Sequence, residues 1–66
     1  MTSFVELNSG GHRYLINIRH IRGVTAAKDE AQRSVVDVAG KLMLVDHPYD
    51  NVVQLMLKSD GVAIGR

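Results

Sequence analysis

Up to Val45 the chain alternates short apolar runs with polar punctuation, and after Pro48 the spacing of its apolar residues changes to that of a helix. The run Ser3-Phe4-Val5-Glu6-Leu7 ends at Asn8-Ser9-Gly10-Gly11, a strand followed by a hairpin turn. Residues 13–17, Arg-Tyr-Leu-Ile-Asn, carry the β-branched and aromatic content of a second strand. Between Asn17 and His20 the pattern fits one turn of tight helix, with the Asn17 side-chain oxygen as its cap. A third strand over 21–27 contains Gly23, which marks a bulge or a close backbone approach. Residues 28–33 are polar and charged, a solvated loop or a hairpin tip. Within 34–40, Val36 and Val38 flank Asp37 in the alternation of a half-buried antiparallel strand. A tight turn at Gly40-Lys41 then leads into a fifth strand over 42–45.

The helical signal begins at Asp46-His47-Pro48. Proline suits a first helical position because its missing N–H would have no partner there. Asp46 or His47 can cap, and Asp50 places negative charge in the first turn, where the helix dipole favours it. Tyr49, Val52, Val53, Met56 and Leu57 recur at helical spacing and form one apolar face. Lys58 complements the C-terminal end of the dipole and Gly61 is placed to cap it. Leu55 lies off that face, so the helix is apolar on more than one side, which suits a subunit contact. Residues 62–66 read equally as a short added strand or a frayed end.

These elements predict an α+β fold over residues 1–66 as a single domain. A small antiparallel sheet of about five short strands carries one C-terminal amphipathic helix packed on it, two layers around one core.

The order of signals is also familiar as a set: Leu7-Asn8, then Tyr14-x-Ile16-Asn17 with Ile21, then Gly40-Lys41-Leu42-Met43-Leu44-Val45, then Val52-Val53 and Met56. This order resembles the FlbD/SwrD-type small flagellar and swarming proteins and similar short bacterial or phage-borne proteins. The resemblance covers most of the chain and implies the same sheet-and-helix fold and an accessory role exercised through protein contacts. It departs at Ile18-Arg19, where Pro-Asp is common in that family. The charged connector 28–33 is also longer, and Pro48 is an added helix-start signal. Turn and core positions carry it, so it bears on fold more than on partner.

Length and composition change the picture in one respect. A chain of 66 residues buries only about 60% of the surface exposed when unfolded, so its core is marginal. With no cysteine, neither a disulfide nor a thiolate metal site can reinforce it. His12, His20 and His47 match no ligand spacing, so no metal and no cofactor is expected. Self-association as a homo-oligomer remains. The net charge of +1 gives no long-range attraction to nucleic acid or membrane. Phe4, Tyr14 and Tyr49 are the only aromatic residues, few for stacking bases. No apolar run is long enough for a membrane span and no signal-peptide pattern is seen, so a cytoplasmic location is expected.

Candidate chemistry is confined to a few places. Within Asn17-Ile18-Arg19-His20-Ile21-Arg22-Gly23, Arg19, His20 and Arg22, joined by Arg13 and His12 across the first hairpin, would form an anion cradle. The reading the residues favour is structural: Ile18 and Ile21 point inward while the arginine stems cover apolar surface and keep the turn hydrated. Asn8-Ser9-Gly10-Gly11 lacks the lysine and hydroxyl of a phosphate-binding loop and joins strands. Asp46-His47 has no nucleophile beside it, and capping explains both residues. The expectation is therefore a non-catalytic, self-associating binding module that contacts another protein, with Leu55 in the oligomer interface. The alternative is an oligomer that holds a small anionic or nucleotide signal at an arginine-lined subunit seam.

Overall fold

The computed structural model describes residues 3–58 and the backbone of residues 62–64. Strands β1 (Phe4–Ser9) and β2 (His12–Asn17) form an antiparallel hairpin. Its two-residue turn uses Gly10 and Gly11 at φ of 58° and 83°, a left-handed pair that only glycine adopts freely. A 3-10 turn over Ile18–His20 follows, capped as expected by the Asn17 side chain, which accepts from the Arg19 N–H. Strands β3 (Ile21–Ala26), β4 (Ser34–Val38) and β5 (Lys41–Val45) make an antiparallel meander. Helix α1 spans Tyr49–Lys58, and a short strand β6 (Val62–Ile64) comes last.

The α+β class and the C-terminal helix match the sequence reading, but the strands are not one continuous sheet. They divide into two, ordered β2-β1-β6 and β3-β4-β5. The physical reason is the 3-10 turn. It redirects the chain between β2 and β3, so that β3 pairs with β4 and not with β2. Two bonds bring the sheets together at the ends of β1 and β5. Ser9 Oγ donates to the Leu44 carbonyl at 2.6 Å, and the Asp46 N–H donates to the Asn8 carbonyl at 2.7 Å. Residues 62–64, for which strand and frayed end were both open, add to β1 in parallel. The glycine cap expected at Gly61 lies outside the described residues.

Between the sheets, Val5, Leu7, Ile16, Val36, Val45 and Val52 form the buried core. Alternate β1 residues Val5 and Leu7 face it, as the two-residue period of a strand requires. The segment 28–33 is the tip of the β3–β4 hairpin, closed by a hydrogen bond from the Ala27 N–H to the Arg33 carbonyl at 3.2 Å. Among the described residues, no helix is long and apolar enough to cross a membrane.

Helix α1 is rotated from the expected setting. Only Val52 is fully buried, with Leu55 and Met56 packed on the core, whereas Leu57 is 75% exposed and Tyr49 42% exposed. Successive helical residues turn by about 100°, so Leu55 and Met56 lie about 60° and 40° to either side of Val52, while Leu57 lies about 140° away. The apolar arc is wider than one stripe, and the core takes the half centred on Val52. Leu55, expected off the buried face, is thus half-buried at its edge.

Candidate functional site

Rotating α1 in this way opens a groove against β3. Tyr49, Val53, Met56 and Leu57 line it from the helix, and Ile21, Arg22, Gly23 and Val24 from the strand. Its volume is about 270 Å³, just under the roughly 300–1,000 Å³ of pockets that enclose a small molecule. Among the described residues, Arg22 is the only charged one in the lining. The pairing of β3 with β4 shifts register between Ile21 and Gly23, placing a bulge at Arg22 and bearing out the irregularity expected at Gly23. A bulge re-aims the side chain it carries, and that of Arg22 reaches toward the β4–β5 turn. A Cβ built on Gly40 would stand 3.9 Å from its Nη1.

The basic residues singled out in the sequence do not all converge. Arg19 and His20 are exposed on the 3-10 turn, and Arg22 is exposed two residues beyond His20. Arg13 and His12 sit at the opposite end of β2, next to the Gly10-Gly11 turn. Four residues of strand separate Arg13 from Asn17, about 13 Å at the usual rise. The His12 ring instead stands edge-on to Tyr14, with ring centroids 6.4 Å apart. Among the described residues, no carboxylate forms an ion pair with Arg13, Arg19 or Arg22; both ion pairs belong to Arg33, with Asp46 at 3.0 Å and Glu30 at 3.8 Å. Ile18 and Ile21 are half-buried against the core, which is the inward-pointing arrangement considered for them.

His47 has a different role from helix capping alone. The residue is 3% exposed, and its side chain and carbonyl together join three elements. Nε2 accepts from the backbone N–H of Asn8 at 2.9 Å, so in the neutral ring Nδ1 bears the proton and donates it to Asn51 Oδ1 at 3.0 Å. The His47 carbonyl accepts from Ser34 Oγ at 2.7 Å. Among the described residues, no buried side-chain nitrogen or oxygen lacks a hydrogen-bond partner, so this cluster is a satisfied structural staple. Asn51 is four residues away, but Asn8 and Ser34 lie 39 and 13 residues away along the chain, so sequence spacing alone does not mark the cluster.

No protein-family model matches the chain, and no curated protein or solved structure matches it either.

Proposed function

We propose that this protein is a non-catalytic binding module that associates with itself and acts by contacting another protein. The observation that carries this reading is the open groove between α1 and β3, apolar apart from Arg22. A soluble surface gains from covering such a patch, because each Å² of apolar area removed from water contributes roughly 25 cal/mol. The distribution of hydrophobic residues supports it further. Among the described residues, six apolar side chains form the buried core, and six large ones are exposed: Tyr14, Leu15, Leu42, Leu44, Tyr49 and Leu57. They lie on β2, β5 and α1, apolar surface that self-association or a partner would cover.

The second reading, a small anionic ligand at a subunit seam, draws on Arg19, His20 and Arg22, exposed in consecutive elements. The size of the groove favours the protein reading, since an opening of about 270 Å³ suits a few side chains better than a nucleotide-sized ligand.

Two measurements test the proposal. A photo-reactive benzoylphenylalanine replacing Leu57, which is exposed at the groove rim, should form adducts with a second protein in living cells. Sedimentation velocity over a dilution series should show a species heavier than the 7.3 kDa chain at micromolar concentration. Adducts confined to small molecules, or a monomer at every concentration, reject the corresponding half of the reading.

A further inference from the structure

Building on the protein-binding reading above, we propose that the partner enters as an extended peptide segment that adds to the open edge of β3. Its alternate apolar side chains fill the α1/β3 groove and its carboxylate meets Arg22. Three independent features converge on this occupant.

The first is the phase of the β3–β4 ladder. The Ala27 N–H donates to the Arg33 carbonyl, and the register continues through Thr25 opposite Val35 and Gly23 opposite Asp37. In an antiparallel pair, residues that exchange hydrogen bonds alternate with residues whose N–H and C=O point away. The backbone groups of Val24 and Ala26 therefore face outward. Among the described residues, β3 has β4 as its only neighbour in the sheet, so these groups lie on a free edge. The bulge at Arg22 breaks the edge at its start and confines pairing to Val24–Ala26.

The second feature is the position of the groove. Val24 lies both on that edge and in the groove lining, opposite Val53, Met56 and Leu57 of α1. A strand laid beside β3 presents alternate side chains to one face, and that face looks into the groove. Main-chain bonds would then supply affinity and the groove would select side chains, as in strand addition generally. Gly23 contributes no side chain to the lining, and a Cβ there would meet nothing within 4 Å.

The third is charge. Arg22 is an exposed charged residue in an otherwise apolar lining; its Nη1 stands beside Gly40, so its long side chain swings to the β3 edge to meet an entering carboxylate. Among the described residues, no carboxylate neutralises it. An acidic residue or a terminal carboxylate on the entering segment would do so in two-point contact.

The test begins by selecting short random peptides displayed on phage against the full chain. Selected peptides are then titrated into the 15N-labelled protein. The expected peptides carry apolar residues at alternate positions and one carboxylate, and they shift the amide signals of Val24, Thr25 and Ala26. Methylating the peptide nitrogen that pairs with the Val24 carbonyl should weaken binding at least about tenfold. So should Arg22→Gln, the loss expected when a charge-assisted hydrogen bond is removed. Leu57→Asp should also weaken binding while the thermal melt is unchanged.

Peptides that bind with full affinity after N-methylation, that map to β2, or that respond equally to Arg19→Gln and Arg22→Gln overturn the proposal. A selection yielding no binder also overturns it, as does saturation of the β3 edge by a second copy of the chain. The outcome is separable from that of the broader reading. Protein adducts at position 57 without any edge-binding peptide would reject strand addition and leave a protein-binding module standing.

Discussion

The two flanks of α1 meet the same kind of neighbour, the edge of a sheet, with opposite results. On one flank β6 lies alongside the helix and fills the edge of β1, so the backbone is paired within the molecule. On the other, the helix touches β3 and, among the described residues, no strand fills its edge, with an apolar groove between them. A helix apolar over so wide an arc cannot satisfy all of it against one small core. Val52, Leu55 and Met56 pack on the core, and the Tyr49–Leu57 side of the arc is left at the surface. The open groove thus follows from which half of the helix the core claims.

The most severe way to test that division is to place a charge on each half in turn. Val52 is fully buried, so Val52→Asp should cost about 4 kcal/mol or more and unfold so small a domain. Leu57→Asp should change stability by no more than about 0.5 kcal/mol, as for other surface sites. Circular dichroism melts of the two variants check this directly, and equal unfolding would mean that the flanks do not differ as described.

A smaller effect is expected at the staple that holds α1 to β1. His47→Leu leaves the Asn8 N–H and the Asn51 side-chain Oδ1 without their partner, at about 2–3 kcal/mol. Asn51→Ala removes only the outer bond and should cost about 1 kcal/mol. Denaturant titration ranks the pair. If Asn51→Ala proved as costly as His47→Leu, the bond from Asn8 would contribute little to holding the helix.

What the sequence disclosed and what it hid divide along the same physical line. Local signals were readable: the double glycine of the first hairpin, the Asn17 cap, the irregularity at Gly23 and the helical spacing after Pro48 all have counterparts in the structure. Relations between distant residues were not. The split into two sheets depends on how the turn at Ile18–His20 steers β3. The spacing of Tyr49, Val52, Val53, Met56 and Leu57 suits any rotation of the helix within its apolar arc, so it placed Leu57 inward and Leu55 outside the buried face. The groove became visible only once β3 and α1 stood side by side. Of its lining, Arg22 was a candidate in advance, and Arg13, proposed alongside it, lies at the far end of β2.

The β4–β5 turn beside Arg22 offers a smaller test with the opposite sign. Ala39 sits at φ 52° ahead of Gly40 at φ 91°. An L side chain is disfavoured in the left-handed region and glycine is not. Ala39→Gly should therefore stabilise the protein by about 0.5–1 kcal/mol, read as a raised melting midpoint. A lowered midpoint would show that the alanine is not strained there. Relieving this turn should leave groove binding unchanged, because Ala39 is not part of the lining.

The smallest expected stability effects separate the two parts of the basic stretch. Arg19 and Arg22 are exposed and without ion-pair partners among the described residues, so Arg19→Ala and Arg22→Ala should each stay within about 0.5 kcal/mol of the parent. Ile21→Ala should cost about 1–2 kcal/mol, toward the low end for core truncation because Ile21 is only half-buried. In binding, the arginines should differ. Arg22 lines the groove and Arg19 does not, so Arg22→Ala should weaken capture of an acidic peptide and flatten its salt dependence, while Arg19→Ala leaves both nearly unchanged. Arg19 lies outside the lining, so it makes no two-point contact with a ligand held there and contributes less than Arg22. Calorimetric titration of both variants at low and physiological salt decides the matter. Equal losses from the two would shift the site from the β3 edge to the 3-10 turn, making Arg19, His20 and Arg22 a single anion cradle.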